Sequence, residues 1–132
     1  MKVFLNLHHF TEPVWFFEEG SFSRLGAEED FAAYCRRCAE EYGDLVDFWI
    51  TYNEPQVTLL GWMWGLLPPM KTDLELASRV LSGQLKGHAA ARAAIKSRIV
   101  TETIRPALSH VIDLRKTPQA SIKREQYRGC LI

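Results

Sequence analysis

Asp47-Phe48-Trp49-Ile50-Thr51-Tyr52-Asn53-Glu54-Pro55 is the stretch whose reading decides the fold. From Phe48 to Tyr52 it is aromatic and β-branched, the composition of a buried strand. Asn53 and Glu54 fall where that strand should end, and Pro55 stops the ladder because it has no N–H to give. A carboxylate at the carboxyl end of a buried parallel strand is where α/β folds keep their chemistry. On composition alone, Asn-Glu-Pro also reads as an ordinary polar turn.

Working outward, residues 2–8 read as a second strand, with Val3, Leu5 and Leu7 apolar and Phe4 at an even position. Apolar residues on both faces suit a parallel sheet. His8 and His9 stand at its end, either as a loop pair making local hydrogen bonds or as functional groups. Residues 11–26 hold Pro13, Gly20 and Gly26 with Trp15, Phe16, Phe17 and Phe22 among them, and are expected to form a loop with an aromatic cluster. Residues 27–43 are expected to be a helix. Glu28, Glu29 and Asp30 suit its first turn, Phe31, Tyr34, Cys35, Cys38 and Tyr42 make an apolar stripe, and Gly43 is a stop. The first 55 residues thus read strand, loop, helix, strand. Such a βαβ unit has a right-handed crossover that brings His9 and Asn53-Glu54 to one edge of the sheet.

Beyond Pro55, residues 56–73 are expected to form a loop, in which Trp62 and Trp64 either pack or line a site. Residues 73–97 are expected to be a helix with Asp73 as N-cap and a stripe of Leu74, Ala77, Val80, Leu81, Leu85, His88, Ala91 and Ile95. His88 on that stripe reads as a core histidine. Cys35 and Cys38 have redox spacing, but they fall mid-helix rather than at a helix start, so they read as inert thiols.

The chain has 132 residues, with 16 basic and 16 acidic side chains. That balance points away from nucleic acid and from an acidic membrane surface as partners. No apolar run reaches the roughly 18–20 residues of a membrane span. The first residues turn polar too early for a signal peptide. Three cysteines are too few for a disulfide framework, so a soluble, cytoplasmic chain is expected. Nothing in the residue spacing calls for a metal or another cofactor.

Two motifs carry a family resemblance. Trp49-Ile50-Thr51-Tyr52-Asn53-Glu54-Pro55 resembles the segment in which family-one glycoside hydrolases, the β-glucosidase-like family, carry their general acid/base. Leu5-Asn6-Leu7-His8-His9-Phe10-Thr11-Glu12-Pro13 resembles an earlier strand of the same family. Phe31 to Asp44 is similar to the helix between them. Gly61-Trp62-Met63-Trp64-Gly65-Leu66-Leu67-Pro68-Pro69 resembles a later segment, which usually continues with Gly where this chain has Met70. Positive φ is easily reached only by Gly, so the geometry at Met70 is in question. His88-Ala89-Ala90-Ala91-Arg92 resembles a further family helix.

The resemblance implies a fragment of a (β/α)8 TIM barrel, about two βα units over residues 1–97, with an unassigned tail at 98–132 that is partly helical or disordered. A complete barrel needs about 250 residues. The resemblance further implies a β-glycoside substrate and hydrolysis of its O-glycosyl bond. Glu54 would be the general acid/base, Asn53 would bind the 2-hydroxyl, His9 a sugar hydroxyl, and Phe10 would wall the sugar pocket. No cofactor is implied. Retaining enzymes also need a carboxylate nucleophile about 5–5.5 Å from the acid/base. Val100-Thr101-Glu102 echoes that motif, but Thr103-Ile104 follows it and it lies too close to Glu54 in sequence, so the match is rejected. The chain alone is therefore expected to be inactive. The other reading is a truncated interaction module, or half of a complemented barrel, associating through exposed sheet edges.

Overall fold

A computed structural model of the chain describes residues 1–98 and the backbone of residues 107–108. Among the described residues three strands form a parallel sheet in the order β1 (Phe4–Asn6), β2 (Phe48–Tyr52), β3 (Ala107–Leu108). Phe4, Leu5 and Asn6 face Phe48, Trp49 and Ile50 across the first ladder, and Ile50 and Tyr52 face Ala107 and Leu108 across the second. Both expected strands are present but shorter than residues 2–8 and 46–52. Their ends hold by single backbone bonds, from Asp47 and Phe48 N–H to the Val3 carbonyl and from Leu7 N–H to the Ile50 carbonyl. The third strand falls inside the stretch expected to be an irregular or helical tail. Two residues flanked by Pro106 give too short a pattern to read in sequence. The remainder of that tail, Glu102 included, lies outside the described residues.

Among the described residues four helices join these strands: α1 (Val14–Glu18), α2 (Ala27–Tyr42), α3 (Pro55–Met63) and α4 (Leu74–Lys96). Two of them replace expected loops. Residues 11–26 contain α1 and a 3-10 turn at Ser21–Ser23. These short helices rest on tertiary contact rather than propensity, because Phe16 and Phe22 are buried with ring centroids 5.0 Å apart. Residues 56–73 begin with α3. Pro55 ends β2, as expected, and also occupies the first helical position, where a missing N–H costs nothing. Gly43 ends α2 in a right-handed rather than left-handed conformation.

The helix α4 starts as expected, with Asp73 Oδ1 accepting from Leu76 N–H at 2.8 Å. Its buried face differs from the expected stripe. Leu74 and Leu85 are exposed, while Ala77, Val80, Gly83, Gln84, Gly87, Ala91 and Ile95 are buried. Small residues mark this face because neighbouring backbone comes very close. A Cβ at Gly83 would overlap the Phe22 carbonyl group, and one at Gly87 would overlap the Tyr52 hydroxyl. The buried positions of α2, namely Ala27, Phe31, Cys35 and Ala39, follow strict four-residue spacing, whereas Tyr34 and Tyr42 are exposed. At the centre Phe31 stacks on Tyr52 at 4.6 Å, and Phe22 meets both edge-on. Burying side chains of this size contributes about 1.5–3 kcal/mol each.

Candidate functional site

Parallel pairing sets the carboxyl ends of β1 and β2 side by side, and one backbone hydrogen bond fixes their register beyond the strands. Asn53 N–H donates to the His8 carbonyl at 2.9 Å. The two motifs, separated widely in sequence, are thereby adjacent. His9 and Phe10 follow β1, Asn53 and Glu54 follow β2, and all four lie at one edge of the sheet. This is the arrangement expected from a βαβ unit.

Both segments leave the sheet through a left-handed residue that is not glycine. Phe10 has φ 66°, and Glu54 has φ 42° and ψ 62°. Each costs about 1–2 kcal/mol in backbone strain, which persists only where surroundings impose it. At Glu54 the imposition is local. Pro55 opens α3, and Val57 N–H donates to the Glu54 carbonyl at 2.8 Å. The chain therefore passes from strand to helix through one residue, leaving Glu54 half-buried at the amino end of α3. Asn53 is likewise half-buried, whereas His9 and Phe10 are exposed, with their rings edge to face at 5.0 Å.

The adjacent histidines do different things. His9 is at the surface, and His8 is buried between Phe22, Phe31 and Tyr52. Reading them together as a loop pair missed this, and no local pattern separates them, since both lie beyond β1 and Leu7 and His8 are buried in succession. His88 is the core histidine the sequence led us to expect. Its Nδ1 lies 2.8 Å from Thr51 Oγ1, and burial, then the charge of Arg92, holds its pKa below the usual histidine range. Cys35 is fully buried and burial pushes its thiol up, with Cys38 shifted the same way for the same reason, as inert thiols require. The Tyr34 ring is half exposed, but its hydroxyl is partly desolvated and hydrogen-bonds Cys38, which pushes its pKa up to about 12. Trp62 is buried beside Phe17, at 5.9 Å, and so packs, while Trp64 is exposed. Met70 adopts φ 56°, so the position does demand the conformation that glycine reaches most easily.

Two clefts lie near the site, one of about 470 Å³ and one of about 640 Å³, and His8, Thr11 and Glu12 line both. The larger also touches Phe10 and Trp62, but neither is lined by His9, Asn53 or Glu54. Among the described residues no group of three or more His, Cys, Asp or Glu side chains is placed to hold a metal ion.

Parallel strands alternating with helices, with a carboxylate residue at a strand's carboxyl end, are the layout of an α/β fold that keeps its chemistry at the strand ends. The chain belongs to glycosyl hydrolase family 1, whose sequence pattern matches residues 1–128. That match runs past residue 97, where the recognisable motifs stop. The β-glucosidase A of Thermotoga maritima is 33% identical over 89 residues, covering 67% of this chain and 20% of that protein. The 6-phospho-β-galactosidase of Clostridium acetobutylicum is 32% identical over 91 residues, covering 67% of this chain and 19% of that protein. Among solved structures, the AHE enzyme of Alicyclobacillus herbarius superposes with a TM-score of 0.76 at 30% identity, covering 81% of this chain and 24% of that one. A family 1 β-glucosidase of Thermotoga maritima does so with a TM-score of 0.74 at 28% identity, covering 79% and 24%. These structural neighbours are TIM-barrel glycosidases, and this chain spans about a quarter of their length.

Proposed function

We propose that the chain carries the acid/base side of a retaining β-glycosidase site and acts on a β-glycoside only when the rest of the barrel is supplied. The observation that carries this reading is the juxtaposition of His9-Phe10 with Asn53-Glu54 through the Asn53 N–H to His8 carbonyl bond. Glu54 would protonate the glycosidic oxygen as it leaves, then take the proton from the water that releases the sugar. Asn53 would hydrogen-bond the 2-hydroxyl, a contact that strengthens as the ring becomes oxocarbenium-like. His9 would orient the sugar through another hydroxyl, with Phe10 beside it as an apolar wall. The nucleophile must be a second carboxylate, and no residue of the recognisable motifs supplies it. A cytoplasmic setting, in which thiols stay reduced, goes with this reading.

A second observation favours completion by another polypeptide. Among the described residues β1 pairs on one side only, with β2, and Phe4 next to that open edge is 62% exposed. An open edge of this kind accepts a further strand. The deciding experiment is hydrolysis of a fluorogenic β-glucoside by the purified chain, alone and mixed with a polypeptide carrying the remaining barrel strands. The expected result is turnover in the mixture alone, abolished by Glu54→Gln. Turnover that survives Glu54→Gln would remove the assignment.

A further inference from the structure

The segment that carries His9 and Phe10 away from β1 has few backbone ties. On one side Leu7 N–H donates to the Ile50 carbonyl and the His8 carbonyl accepts from Asn53 N–H. The next tie comes only where α1 begins, from Phe17 N–H to the Pro13 carbonyl. Among the described residues His9, Phe10, Thr11 and Glu12 make no backbone–backbone hydrogen bond. Phe10 nevertheless holds φ 66° with its ring exposed, so neither its residue type nor its own burial accounts for the left-handed conformation.

One side-chain bond anchors the segment. Glu12 Oε1 accepts from Ser21 Oγ at 2.8 Å. His8 Nε2 stands 3.6 Å from the same oxygen, beyond hydrogen-bond length. Among the described residues no lysine or arginine pairs with Glu12. Ser21 is wholly buried and is itself left-handed, at φ 54°, directly after Gly20 at φ 109°. Glycine would reach that conformation more easily, so the hydroxyl is present despite the strain it brings. Its neighbour Phe22 is buried against Phe31 and Tyr52 and lies under α4, which makes the anchor rigid. Two left-handed residues that are not glycine, Phe10 and Ser21, thus flank a single hydrogen bond. Strain of this kind persists where the surroundings impose it, and it gathers at functional sites.

We propose that Ser21 and Glu12 are positioning residues for the sugar-binding edge: their hydrogen bond fixes the left-handed turn at Phe10, and with it the direction in which His9 and Phe10 leave β1. Both act through His9 and Phe10 rather than on the substrate. The functional meaning rests on the glycosidase reading, but the effect on residues 9–11 is measurable in the full chain alone. The test is nuclear magnetic resonance relaxation and Cα shifts of the full chain and three variants. The unsubstituted chain should show a left-handed Cα shift at Phe10 and rigid backbone at residues 9–11, with order parameters of about 0.85. Ser21→Gly removes the hydroxyl yet suits the positive φ, so it keeps the fold. It and Glu12→Ala should each lower those order parameters below about 0.6 and move the Phe10 shift towards its extended value. Glu12→Gln keeps an acceptor oxygen and should retain the original values. Phe31 and Tyr52 signals should stay in place throughout. A merely structural bond would lower the urea midpoint and leave residues 9–11 ordered in the folded molecules. Order unchanged in Ser21→Gly, or lost as fully in Glu12→Gln as in Glu12→Ala, would overturn the assignment; if Glu12→Ala does not fold, Ser21→Gly decides. In the mixture with the remaining barrel strands, Ser21→Gly should raise KM about tenfold with kcat changed less, because His9 would bind the sugar before and during reaction. An unchanged KM there would also overturn the assignment. Absence of turnover in the unsubstituted mixture would count against the glycosidase reading alone, and the relaxation data would still decide this one.

Discussion

Gly83→Ala adds one methyl group where α4 crosses the 3-10 turn. Its Cβ would stand 2.8 Å from the Phe22 carbonyl carbon and 3.1 Å from Phe22 Cβ, with the carbonyl oxygen nearer still. These are backbone atoms and the root of a side chain, so no rotamer change relieves the overlap. Two effects oppose each other. Replacing glycine by alanine inside a helix contributes about 1 kcal/mol through propensity. Overpacking costs about 1–3 kcal/mol, and more where backbone must move. The second should win, because yielding here means separating α4 from Phe22, which packs on Phe31, Tyr52 and His8. A net loss of about 2 kcal/mol is expected, a large share of the roughly 5–15 kcal/mol a domain has. Urea denaturation followed by tryptophan fluorescence reads it as a midpoint shift of about 1 M, for a slope of about 1–3 kcal/mol/M. Ser82→Ala, on an exposed turn of the same helix, reports the propensity gain alone. If Gly83→Ala matched that control in being neutral or stabilising, the close approach of α4 to Phe22 would be refuted.

Three other outcomes are expected. The folded pKa of His88 is depressed, so below about pH 6.5 the unfolded chain binds the extra proton first, and stability present at pH 7 should fall as the pH drops towards 5. His88→Gln should flatten that slope in urea titrations; an unchanged slope would mean another group is responsible. Met70→Gly removes a left-handed strain of about 1–2 kcal/mol against a glycine entropy cost of about 0.5–1 kcal/mol, and Met70 is largely exposed, so the melting temperature should rise by a few degrees. A fall would place the strain elsewhere. Cys35 should resist alkylation at pH 8 in the folded chain and react fully in urea, as peptide mass mapping would reveal. Rapid labelling without denaturant would contradict its burial.

The strand ending at Asn53-Glu54, the helix before it and the helix begun by Asp73 were legible because each has a local signature: a β-branched aromatic run, a charged first turn, an N-cap aspartate. The α1 and α3 helices were not, since Phe16 and Trp62 earn their burial from residues distant in sequence and Gly61 disguises a helix as a loop. The same holds for the buried face of α4. Its glycines look like helix breakers until the neighbouring backbone of Phe22 and hydroxyl of Tyr52 are in place.

By itself the sequence determined the family, the first two strands and the identity of the candidate carboxylate, because chemistry and hydrophobic period are written residue by residue. Only the tertiary structure decided which of two neighbouring histidines is buried, that Phe10, Glu54 and Met70 take left-handed conformations, and that Ser21 reaches Glu12. Those properties depend on how closely separate segments approach one another. That distance is a balance of packing against strain summed over the whole core, and no single stretch of sequence contains it.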